Sequence, residues 1–176
     1  MLLRSQTSPL TARLANGGAP LGEVFTFMSS LYFRGKLAYA SRFGRPFVIT
    51  PGRGLLPADV LIRVDDLRKM AEVPVDEAVA AFREPLMRDA TALARGIAPD
   101  DCVVLLGSVA TNKYVGPLLE VFGERLYFPP TFAGRGDMSR GGLLLRCARS
   151  GTPLEYAPVR GAVRHGPKPP KLPRLR

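Results

Sequence analysis

Cys102-Val103-Val104-Leu105-Leu106-Gly107-Ser108, an amphipathic stretch over 112–122 and then Arg125-Leu126-Tyr127-Phe128 together decide the fold class. An apolar run that stops at a Gly-Ser turn reads as a buried strand, and a helix-length stretch between two such runs is the spacing of a βαβ unit. Working outwards, Phe47-Val48-Ile49-Thr50 reads as another short buried strand, with Pro51-Gly52-Arg53-Gly54 as the loop behind it. Further extended pieces are expected over 60–64 and 154–158. Helices are expected over 23–43, where Leu21, Phe25, Met28, Tyr32, Lys36, Tyr39 and Phe43 share a face and Gly44 is the stop, and over 139–149. Another starts at Asp76, carries Val79, Phe82, Leu86, Ala90 and Leu93 at helical spacing, is kinked by Pro85 and closes at Gly96.

Strands alternating with helices predict an α/β fold: a single three-layer domain with a mostly parallel four- or five-stranded sheet and helices on both faces. Residues 1–20 read as an irregular lead-in, 21–158 as the α/β domain, and 159–176 as a basic, proline-rich flexible tail.

Composition sets limits on this picture. With 46% hydrophobic and 23% charged residues, the chain is not disordered as a whole. Its longest aliphatic run, Val103 to Leu106, is far below the ~20 residues of a membrane span. Leu2-Leu3-Arg4 is followed by polar residues and not by a signal-peptide core, so a cytoplasmic location and no membrane partner are expected. Cys102 and Cys147 read as core thiols. His165, the sole histidine, sits in the tail, which argues against histidine-based triads and metal sites; no metal or cofactor is expected.

The net charge of +10 is concentrated at one end. Arg160, Arg164, Lys168, Lys171, Arg174 and Arg176 face no acid within the tail and leave only +4 on the rest of the chain. Such an arm either grips nucleic-acid phosphates nonspecifically or simply keeps the chain soluble.

Ligands of open α/β sheets bind beyond the carboxyl ends of the strands, so three loops are expected to converge: 50–57, 107–113 and 129–140. The last runs Pro129-Pro130-Thr131-Phe132-Ala133-Gly134-Arg135-Gly136-Asp137-Met138-Ser139-Arg140 into a helix. Glycines there admit a ligand to the backbone while Arg135 and Arg140 supply charge; Asp137 is the candidate to orient substrate or move a proton. A salt bridge or helix cap by Asp137 is the plainer explanation of the same residues. Arg53, between Gly52 and Gly54, is the ligand-facing candidate of the first loop. The second has the spacing of a phosphate-binding P-loop, but Asn112 stands where a glycine belongs and Tyr114 where the magnesium-binding hydroxyl belongs. Ser108, Thr111 and Asn112 either hold a polar ligand at a helix start or cap it. Arg34 and Lys36, late in the first helix, are accounted for by its dipole. Phe128 and Phe132 either stack a base or fill the core.

The succession Ser29-Ser30-Leu31-Tyr32-Phe33 with Ala38-Tyr39-Ala40, then Val48-Ile49-Thr50-Pro51 and Gly54-Leu55-Leu56-Pro57, resembles a group of bacterial and phage α/β domains. These are related to the peroxide-stress protein family and the archaeosine synthase core. Gly107 with Tyr114-Val115-Gly116-Pro117-Leu118, and Pro129 with Gly134-Arg135-Gly136, resemble that group's later helix and its proline-led loop. Thr50-Pro51 departs from its Ser-Ala. The resemblance implies a uracil-DNA-glycosylase-like fold and a ligand that is a nucleotide, a modified base or nucleic acid. Two functions are therefore expected in competition: an enzyme acting on a nucleotide or a nucleic-acid base, and a noncatalytic module gripping nucleic-acid backbone with the same loops and the tail.

Overall fold

The computed structural model describes residues 8–170 and 172. Leu2, Leu3 and Arg4 at one end, and Lys171, Arg174 and Arg176 at the other, lie outside the described residues. The chain runs α1 (Pro9–Asn16), β1 (Ala19–Pro20), α2 (Leu21–Met28), α3 (Ser30–Phe43), β2 (Phe47–Thr50), β3 (Gly54–Pro57), β4 (Leu61–Ile62), α4 (Val64–Ala71) and α5 (Ala80–Gly96). It continues through β5 (Val103–Val104), α6 (Asn112–Phe122), β6 (Leu126–Phe128), α7 (Asp137–Ser150) and β7 (Ala157–Pro158).

The expected four- or five-stranded, mostly parallel sheet does not form. In its place stand two antiparallel pairs, β1–β4 and β2–β3, and a three-stranded mixed sheet in the order β5-β6-β7. Only β5 and β6 are parallel, joined through α6, so the βαβ unit read from residues 102–128 is present but does not propagate. The reason lies at Pro51-Gly52-Arg53-Gly54. Gly52 and Gly54 both take left-handed backbone, at φ 71° and 75°, and turn the chain straight back, so Phe47 pairs with Pro57 and Thr50 with Gly54. A hairpin leaves no length for the crossover that a parallel neighbour needs. The buried Thr50 hydroxyl closes the turn by donating to the Gly54 carbonyl at 2.9 Å.

Four other expectations change. The lead-in contains α1, where Pro9 occupies the first turn and Leu10 and Leu14 share the buried face. The long first helix is two helices, broken at Ser29, whose ψ of 16° leaves the helical range. Its apolar stripe accordingly divides: Leu21 and Phe25 enter a smaller core with Leu10, Leu14 and Ile62, whereas Tyr32, Tyr39 and Phe43 enter the main core around Phe82, Phe128 and Phe132. Met28 is left exposed. The extended piece over 60–64 stops at Ile62, because the Arg63 N–H donates to the Asp66 carboxylate at 2.8 Å and starts α4. Cys102 is exposed, outside the core in which it was placed.

α3 is shared by both cores and packs along α7. Gly35 meets Gly141 and, further on, Arg42 lies beside Gly151, so the two helices run the same way. At the crossing the backbones touch: a Cβ on Gly35 would fall 2.6 Å from the Gly141 carbonyl oxygen, and one on Gly141 would fall 2.8 Å from that of Leu31. Among the described residues no helix is long and apolar enough to cross a membrane.

Candidate functional site

The α3–α7 pair concentrates charge. α3 contributes Arg34, Lys36 and Arg42 with no acid, and α7 contributes Arg140, Arg146 and Arg149 against Asp137 alone. Six cations against one acid is a net +5 over 28 residues, half the charge of the whole chain. Arg34, Arg42 and Arg149 are exposed. Because the helix breaks at Ser29, Arg34 and Lys36 fall in the first half of α3, where a helix dipole repels a cation; the dipole therefore does not account for them.

Lys36 lies in the crossing itself. Its ammonium sits 4.5 Å from the Tyr32 ring centroid and 5.1 Å from that of Phe33. Burial pushes its pKa below the ordinary lysine value; Asp137 opposes that shift and Arg140 adds to it. Tyr32 donates its hydroxyl to the carbonyls of Leu106, at 2.8 Å, and Gly107, at 3.2 Å. Burial raises its pKa while the neighbouring Arg140 guanidinium pulls it back. Tyr32 thus ties α3 to the end of β5 and stands beside α7.

Two of the three predicted loops meet here, as the parallel β5–β6 pair requires: residues 107–113 follow one strand and 129–140 the other. Within them the predicted side chains are mostly occupied. Arg140 is buried, 7% exposed, and donates through Nε and Nη2 to the Phe132 carbonyl at 3.2 and 2.9 Å, with Nη1 3.7 Å from Asp137. Arg135 donates to the Thr131 carbonyl at 3.1 Å and to Ser139 Oγ at 3.0 Å. Asp137 is the first residue of α7, its side chain 71% exposed. Ser108 is half-buried; Thr111 precedes α6 without a side-chain cap bond. Asn112 opens α6 and accepts from Arg164 at 3.2 Å. Gly107 is not among the left-handed glycines and Lys113 lies over the Tyr114 ring, 5.1 Å from its centroid, so the loop lacks the backbone of a P-loop. Phe128 and Phe132 are fully buried and belong to the core.

The first loop stands apart from this meeting. Arg53 pairs with Asp66 of α4 at 2.9 Å, and its hairpin rests on other neighbours: Gly52 abuts Val73, and Leu55 N–H donates to Asp89 of α5 at 3.1 Å. The common rim expected of the three loops depended on one parallel sheet, and β2–β3 belongs to a separate one.

No family model, curated protein or solved structure matches this chain.

The start of the basic tail completes the face. Val159 is buried and its N–H donates to Leu126, Arg160 pairs with Glu124 at 2.7 Å, and Arg164 donates to the Val109 carbonyl at 3.2 Å. The carbonyls of Gly166 and Pro167 close over Gly134, and Leu172 lies 3.7 Å from where a Cβ of Gly142 would stand. Gly134, at φ 67°, is therefore held both by its left-handed backbone and by the irregular segment laid across it. The tail thus runs from the 107–113 loop onto α7, taking Lys168 with it. Loop-centred reasoning passed over Arg42 and Arg149 and set Arg34 and Lys36 aside on the helix dipole. A charge count per helix, after splitting at Ser29-Ser30, points to them.

Proposed function

We propose that this protein binds the phosphates of nucleic acid along the α3–α7 face, with the tail adding cations at its margin. The observation that carries this reading is three exposed arginines, Arg34, Arg42 and Arg149, on two parallel helices that carry a single acid. Exposed cations spread along a surface suit a repeating phosphate backbone better than one compact anion, since each neutralised phosphate releases counterions independently of the next. The arginines of the glycine-rich loops serve the same function indirectly: by holding the 129–140 loop they fix the start of α7. Asp137, exposed and within reach of Arg140, is read here as part of that fixing and not as an acid–base group.

The salt dependence of binding to a fluorescent oligonucleotide, followed by anisotropy, tests the proposal. Each phosphate contact on a duplex contributes about −0.9 to the log–log slope, so Arg34→Gln, Arg42→Gln and Arg149→Gln together are expected to flatten it by about 2 to 3. Arg53→Gln is expected to leave it unchanged. A slope indifferent to the triple variant removes the α3–α7 face as the binding surface.

A further inference from the structure

We propose that the elbow between α2 and α3 is a stacking edge for the unpaired bases of single-stranded nucleic acid. This rests on the phosphate-binding function assigned to α3–α7 and narrows its ligand. Phe27 and Met28, in the last turn of α2, are 52% and 55% exposed, and Phe27 is the sole aromatic among the exposed large hydrophobic side chains of the described residues. The break at Ser29 is what places them at a corner directly before α3.

α3, which begins at that corner, carries aromatic and cationic side chains together. The Phe25 ring of α2 lies 5.5 Å from the Phe33 ring of α3, at the edge of the smaller core, and the Lys36 ammonium lies over the Tyr32 and Phe33 rings. Arg34 is exposed on the same helix, one turn from Ser30. Met138, 63% exposed, sits in the first turn of α7, one turn before the glycine that abuts Leu31. A duplex keeps its bases inside and offers such an edge nothing to cover it. A single strand offers π faces to Phe27 and phosphates to the exposed Arg34 further along α3. A second copy of the chain is a poorer cover, because two surfaces of the same positive sign repel.

The test compares binding of an oligothymidylate and of a duplex of equal length to the full chain, wild type and Phe27→Ala, at one salt concentration. Phe27 is exposed, so the variant is expected to keep the wild-type circular dichroism and melting temperature. Base–aromatic stacking predicts that Phe27→Ala weakens single-strand binding about tenfold while leaving duplex binding and the salt slope unchanged. Equal weakening on both ligands, or none on either, overturns the proposal. If the arginine triple variant loses affinity and Phe27→Ala does not, the stacking edge fails while the phosphate-binding face stands; if neither variant matters, both fail. Self-association or pelleting with anionic vesicles that Phe27→Ala abolishes assigns the corner to a different partner and likewise overturns it.

Discussion

The glycine-rich loops and the α3–α7 pair treat arginine in opposite ways. Where the 129–136 loop turns sharply it exposes its own carbonyls, and Arg135 of the loop and Arg140 of the first turn of α7 fold back onto Thr131 and Phe132. On the helices the carbonyls are already spent on the helix, so Arg34, Arg42 and Arg149 extend into solvent. An arginine beside glycines is thus as much a brace for an irregular loop as a ligand group. An arginine on a regular helix that lacks acids is the more telling sign of an anionic partner.

The largest expected effect tests whether the charged pair depends on backbone contact. Gly35→Ala puts a methyl 2.6 Å from a main-chain oxygen and 2.9 Å from the Gly141 Cα, neither of which can swing aside. Overpacking of this kind is expected to cost about 3 kcal/mol, a fall of roughly 6–12 °C in melting temperature for a chain of this size. Gly96→Ala is the contrast: its Cβ meets nothing within 4 Å at the end of α5, and the loss of unfolded-state freedom is expected to stabilise by about 0.5–1 kcal/mol. Calorimetry of both variants gives opposite signs if the crossing is as tight as described, and equal small shifts if it is not.

Next come the braces themselves. Arg140→Met removes two buried donors from the Phe132 carbonyl and is expected to cost about 2 kcal/mol, as charge-assisted bonds do. Arg53→Met breaks a pair whose side chains are 35% and 29% exposed, and is expected to cost no more than about 1 kcal/mol. Urea unfolding midpoints at neutral pH compare the two; if Arg53 proves the costlier, the contrast between buried brace and solvent-facing pair is wrong.

Elements bounded by their own local chemistry were legible in the sequence. The strand at Phe47–Thr50, the helix at Asn112–Phe122 and the parallel pairing of the strands that flank it are set by neighbouring residues: apolar runs, a Gly-Ser turn and a helical period between them. What failed was extrapolation from one βαβ unit to a whole sheet. Pro51-Gly52-Arg53-Gly54 is as good a hairpin turn as a ligand loop, and only the φ values of its glycines separate the two readings. The Ser29 break was hidden because the apolar period continues across it in register, although the residues on either side pack into different cores. The candidate face was hidden in turn, since neither the close approach of α3 to α7 nor the lie of residues 160–170 follows from local sequence; both depend on which glycines meet in space.

The smallest effect sharpens the comparison at the one cation of α3 that is not exposed. Lys36 is on the charged helix but half-buried at the crossing, with its pKa held below the ordinary 10.5 by burial. The unfolded chain keeps that proton to higher pH than the folded one does, so the folded state gains stability as pH rises through the window that ends near 10.5. Tyr32 has the opposite sign: its raised pKa means the folded state keeps a proton that the unfolded chain surrenders above 10.0, so its contribution to stability falls beyond that point. Wild-type stability relative to Lys36→Met is therefore expected to climb through the alkaline range, while Tyr32, together with Cys147, Tyr114 and Tyr156, whose pKa values burial also raises, contributes a drop. Lys36→Met removes the climb, because a neutral side chain in the crossing has no charge to desolvate, and leaves the drop. Urea midpoints followed across this range decide it: if wild type shows no climb relative to Lys36→Met, the ammonium is as well solvated as the guanidiniums of Arg34 and Arg42, and belongs with the face and not with the crossing.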